Sequence, residues 1–189
     1  RQNKVEASGT AGLGSVFVAV ADRHINAGGR LALVLPKALL SGVAWERTRR
    51  LIGRSYVLEA LVVSHDPRPD PRRGTSGHWN FSDNTALSEV LVVARKLEGA
   101  PTAETDYLSV LCVNLWRNPS NSWEALGMAR ALTRGQAPDL ESGQGALPIE
   151  TGEGQAGEAV TMPWGSLRNG SWMLPCAFAQ ADLTRAAAG

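Results

Sequence analysis

A chain of 189 residues that is 43% apolar and 20% charged is long enough to bury a core and too apolar to be disordered throughout. Its formal net charge of +1 neither demands nor excludes a polyanionic partner, because such binding depends on where the charges sit. No apolar run approaches the roughly 18 residues of a membrane-spanning helix, and no signal peptide is visible, so a cytoplasmic protein without membrane contact is expected.

In chain order, the polar first ten residues precede Leu13, Val16, Phe17, Val20, Ala21 and His24. These apolar steps of three and four mark one helix face, and His24 falls where an imidazole can serve the last carbonyls. Ala27-Gly28-Gly29 stops the helix. RLALVLP, residues 30–36, is almost wholly apolar, as expected of a strand covered on both faces, and Pro36 ends it. A second helix is expected over 38–53, and VLEALVVSHD, 57–66, reads as a second buried strand. Helix, strand, helix, strand points to an α/β sheet with parallel crossovers.

The pattern then changes. PRPDPRRGTSGH, 67–78, is a loop, and SEVLVVARK, 88–96, follows with no intervening helix, so it is expected to pair antiparallel. After the break EGAPTAETD, YLSVLCVNLW is a fourth strand candidate. SNSWEALGMARALTR, 120–134, reads as a helix capped by Ser120 or Ser122. Residues 135–159 are rich in Gly, Gln, Glu and Pro and are expected to form a flexible excursion. A tryptophan-rich tail should patch onto the sheet and end in a short helix. The domain division is therefore 1–97 and an appended strand–helix segment, 98–189.

Several side chains are candidates for chemistry. Lys37 and Ser41 follow the first strand at its carboxyl end, where α/β sheets place ligands, and His65 and Asp66 end the second. A structural role at a helix start accounts for Lys37 and Ser41 as well. Arg68, Arg72 and Arg73 cluster in the loop and suit phosphate contacts, or simply a solvated loop. Arg47, Arg49, Arg50 and Arg54 stud the second helix in mixed phases, which reads as surface charge, although one face of that helix can approach DNA. Cys112 and Cys176 belong to no CxxC or Cys/His set, so no zinc site is expected. GTAGLG, 9–14, has glycines suited to a phosphate turn but no strand before it, and Asn118-Pro119-Ser120 reads as a turn followed by a helix cap.

GGRLALVLPKALLSG, then a helix containing TRRLI, then LEALVVSHD, then WNFSDNTALSEVLVVARK resembles the second half of an S-adenosylmethionine-dependent N6-adenine DNA methyltransferase. The type is the gamma-ordered one of restriction–modification and phage-defence systems. The resemblance spans residues 9 to 97 and implies a partial Rossmann-like methyltransferase sheet. RLALVLP would be its fifth strand, LEALVVSHD its sixth and SEVLVVARK the antiparallel seventh, with flanking helices and an extra C-terminal α+β segment. It also implies that Phe81, with Trp79 as rival, stacks on an adenine flipped out of DNA, with Asn80 and Asn84 at the base edge or backbone. The methyl group would pass to adenine N6 by direct displacement. The [DNS]PP[FYW] tetrapeptide and the glycine-rich cofactor turn of such enzymes are missing. S-adenosylmethionine would then be held mainly by residues outside this chain, in a missing N-terminal half, and this piece alone would be inactive. The chain opens at Arg1 without methionine, which reads as a piece of something longer. The alternative is a non-catalytic scaffold in a restriction or defence complex, docking through the tryptophans that flank GSLRNG. A third reading, an oxidoreductase fragment of a true dinucleotide fold, would gain if SEVLVVARK lay parallel to its neighbours.

Overall fold

Gly28, at φ +78°, turns the chain out of its first helix, and its N–H bonds the Lys96 carbonyl at 2.9 Å. The strand β1 (Arg30–Pro36) follows in the computed structural model, which describes residues 9–66, 81 and 88–188. The helix before it is α1 (Leu13–His24). Two 3₁₀ turns, Lys37–Leu40 and Val43–Trp45, lead into α2 (Glu46–Ser55), and β2 (Tyr56–Ser64) follows directly. After the loop come β3 (Glu89–Lys96), the single turn α3 (Ala103–Asp106) and β4 (Ser109–Leu115). The chain continues through α4 (Ser122–Arg134), β5 (Leu147–Thr151), β6 (Gly154–Pro163), α5 (Trp164–Arg168) and α6 (Ala181–Ala188).

The six strands form one sheet in the order β1-β3-β2-β4-β6-β5. β3 is antiparallel to both β1 and β2 and lies between them, so β1 and β2 run the same way without touching. β2 and β4 are the parallel pair, and β6 is antiparallel to β4 and β5. The expected antiparallel strand is present, which counts against the oxidoreductase reading. Residues beyond 98 extend the same sheet through β4.

Strand alternation divides the core in two. Leu35, Leu61, Val63, Val90, Val92, Cys112, Val160 and Met162 belong to the larger cluster, with α1, α2, Trp164 and Trp172. Val113, Leu115, Ile149 and Ala159 point to the other side, where Met128 of α4 covers them.

Four expectations are corrected. β1 is covered on one face only: Leu31 and Leu35 are buried, while Arg30, Ala32 and Val34 are exposed. As an edge strand it lacks a layer on the α4 side. In α1 the buried positions are Ser15, Val18 and Ala19, and the stripe Leu13, Val16, Phe17 and Val20 faces outward, with Leu13 74% and Phe17 63% exposed. Asn121, rather than a serine, caps α4 by accepting the Glu124 N–H at 3.0 Å. Residues 135–159 are not an excursion, for they hold β5 and half of β6 in register. Gly157 sits where a Cβ would lie 2.4 Å from the Asn114 carbonyl, so glycine there serves the close approach of β6 to β4.

Candidate functional site

The carboxyl ends of β1, β2 and β4 share one rim of the sheet, and β3 starts from it. The Lys37 N–H bonds the Ser88 carbonyl at 2.7 Å, and Pro36 lies opposite Glu89. On the other side of β3, Val63 lies opposite Val90, and the His65 N–H bonds the Leu115 carbonyl at 2.7 Å. Lys37 and His65 thus leave the sheet at the same level, about 10 Å apart by strand spacing.

The orientation of His65 is set by Asn114, which is buried in β4. Asn114 Nδ2 donates to the Pro175 carbonyl at 2.9 Å, so its Oδ1 is the atom that faces His65 Nε2 at 3.1 Å. Nε2 therefore carries the proton, and in the neutral ring Nδ1 is left as the acceptor. Burial lowers the basicity of His65, and the Lys37 ammonium lowers it further, against the Asn114 hydrogen bond. Burial likewise lowers Lys37. A histidine depressed below its unfolded value is neutral in the fold. Its contribution to stability is whole above pH ~6.5 and is lost as pH falls from there through the folded value. Lys37→Met is expected to raise the His65 pKa in an NMR titration and to flatten this acid limb. An unchanged titration would separate the two side chains.

Asp66 does structural work. Its Oδ2 accepts the Asn118 N–H at 2.8 Å, which ties the end of β2 to the turn after β4 and accounts for Asn118-Pro119-Ser120 as a turn. Ser41 is exposed at the end of the first 3₁₀ turn. Cys112 and Cys176 are both buried and free, and the Cys112 thiol is pushed well up by its hydrogen bond with Cys176 and by burial. A thiol raised in this way is not an activated nucleophile.

Phe81 lies on the α4 side of the same rim. Its N–H donates to Glu89 Oε2 at 2.8 Å, and its side chain packs, partly buried, against the second apolar cluster. Trp79, Asn80, Asn84, Arg68, Arg72 and Arg73 lie outside the described residues. Gly12 and Gly14 of GTAGLG serve a turn and packing. Gly12, at φ +72°, leads into α1, and a Cβ on Gly14 would stand 2.9 Å from the Trp45 ring. Trp164 and Trp172 are fully buried and meet edge to face with centroids 6.0 Å apart, so they offer no docking surface.

No family model matches the sequence, and no curated protein matches it. Among solved structures the fold is similar to that of the type IIG restriction endonuclease BpuSI, with a TM-score of 0.54 and 15% sequence identity. The match covers 90% of this chain and 17% of that one, so this chain spans under a fifth of its neighbour's length. The likeness is one of fold. Among the described residues, no helix is long and apolar enough to cross a membrane.

Proposed function

We propose that this chain is one part of a DNA-modifying enzyme of restriction–modification type. It supplies the fifth to seventh strands of an S-adenosylmethionine-dependent adenine-N6 methyltransferase sheet, together with the loop on which the flipped base stacks. The observation that carries the reading is the position of β3, antiparallel between the two like-directed strands β1 and β2. The fold likeness to a restriction endonuclease supports the setting. The open edge of β1 and the outward apolar stripe of α1 support a larger body, for a stripe of this kind on a lone domain is unusual. The occupant this reading assigns to them is the remaining half of the same catalytic domain.

The described residues do not fit a cofactor cradle. The glycine-rich segment 9–14 is spent on the turn into α1 and its packing, and the one at 152–157 on the β5–β6 hairpin and the close approach of β6 to β4, so neither opens a helix after a strand and no step runs through S-adenosylmethionine on this chain. In the intact enzyme the cofactor would supply the methyl group. This piece's own contribution is to hold an extruded base against Phe81 or Trp79, with Asn80 and Asn84 at its edge and Arg68, Arg72 and Arg73 on phosphates. The scaffold alternative loses its tryptophan anchors, since both are buried.

A 2-aminopurine placed in DNA and titrated with this chain tests the stacking role. Quenching on binding is expected, and Phe81→Ala or Trp79→Ala should weaken binding by about 1–3 kcal/mol, whichever ring is the platform. If neither substitution changes quenching or affinity, the base-stacking reading falls.

A further inference from the structure

Four arginines line a cleft of about 610 Å³ between α2 and the turn that follows α5. Glu46, Arg49, Arg50, Gly53 and Arg54 on its α2 wall are spaced i, i+3, i+4, i+7, i+8, which is one helical stripe, and Arg168 stands opposite. The arginines of α2 are therefore not in mixed phases; Arg47 alone lies off the stripe. Gly53 brings the two walls together, for a Cβ there would meet the Arg168 carbonyl oxygen at 2.5 Å.

Arg49 sets this cleft apart from ordinary surface charge. It is only 9% exposed, yet among the described residues the ion pairs of this cleft fall on Arg50 and Arg168 and not on Arg49. Its Nη1 donates to the carbonyls of Leu39 and Gly42, both at 2.9 Å, and so supports the turns that lead into α2. Arg49 also lines the cleft. Burial lowers its basicity, and the Glu46 carboxylate on the same wall offsets this in part without pairing with it. Arg50 is held by Glu46 at 2.5 Å at a mostly exposed site, and Arg168 is held by Asp106 at 2.6 Å. Two pairs are thus oriented around an arginine that lacks a paired anion.

We propose that this cleft binds a phosphate group, with Arg49 as the buried counter-charge and Arg50 and Arg54 as outer donors. Planar guanidinium forks match phosphate oxygens two at a time. The phosphate has two sources of the same chemistry, the backbone of DNA and a free nucleotide. The proposal does not rest on the methyltransferase reading.

The test titrates the chain at low salt with inorganic pyrophosphate, and separately with a short duplex DNA. It uses the unaltered chain, the double variant R50E/R54E, and R47E as a control of like charge change off the stripe. Arg50 and Arg54 are both exposed, so the double variant is expected to keep its melting temperature. Pyrophosphate should bind the unaltered chain, and R50E/R54E should weaken it at least about tenfold, the loss of one charged hydrogen bond. R47E should change it less than about twofold. Competition between duplex and pyrophosphate, with both weakened by R50E/R54E, makes DNA backbone the source. Pyrophosphate weakened with the duplex untouched makes it a small nucleotide. No pyrophosphate binding, or equal weakening by R47E, overturns the site in favour of diffuse surface charge. Should the double variant unfold, Arg54→Gln against R47E reads the same contrast.

Discussion

Replacing Trp164 or Trp172 by alanine should lower the stability of the chain by about 3–5 kcal/mol, a large share of an ordinary domain's margin. Both rings are fully buried, and each is fastened by backbone as well. The Trp164 N–H donates to the Leu108 carbonyl at 2.8 Å, at the foot of β4, and the Trp172 N–H donates to the Leu40 carbonyl at 2.7 Å, beside the turn after β1. The two residues thus pin the C-terminal tail across β4 and the start of the α2 crossover. In thermal melts the expected loss is about 6–20 °C for a chain of this size. Phenylalanine should cost much less than alanine at either place, because among the described residues neither indole N–H has an acceptor. The rings touch, so the double alanine variant should fall short of the sum of the singles. A melt that leaves Trp172→Ala unchanged would mean that the tail is not docked, and the scaffold reading would regain its anchors.

The same tryptophans show how composition misleads where burial decides. Tryptophans beside glycine and asparagine read equally as an interface or as a core patch, and only the turn at 169–171 returns Trp172 to Trp164. β1, β2, β3 and α4 were legible because each joins a strong apolar pattern to a glycine, proline or cap at its boundary. The hairpin β5–β6 was not. Its buried positions include Ala156, Gly157 and Ala159; a side chain at Gly157 would strike β4, and small residues carry little strand signal. For α1 the periodicity identified the helix, but its apolar stripe points away from the core, so the usual inference from stripe to buried face reverses. The arginine stripe of α2 was readable from spacing alone; what spacing lacked was the opposing Arg168, some 115 residues on in the chain. Of the rim, Lys37 and His65 were legible as strand-end residues. Asn114 was not, because a lone asparagine inside an apolar strand gives no sign of its partners.

Asn114→Leu and Asn114→Ala are expected to destabilise the chain by similar amounts, about 2–4 kcal/mol, because either leaves the Pro175 carbonyl without its donor and His65 Nε2 without its acceptor. Near-equal costs would identify the loss as polar. If leucine recovered most of what alanine loses, cavity filling would be the cause instead. A second readout separates the site from the fold. The Asn114 hydrogen bond holds the His65 pKa up against burial and Lys37, so its removal should drive that pKa further below its ordinary value. The imidazole would then stay neutral deeper into acid, and the acid limb of stability would extend to lower pH. Freed from Asn114, the ring would also lose its fixed tautomer beside Lys37. The rim would keep its charges but not the orientation that distinguishes a donor from an acceptor there. An NMR titration of His65 in a variant that remains folded decides the matter: a pKa unmoved by the loss of Asn114 would mean that β4 does not orient this edge of the sheet.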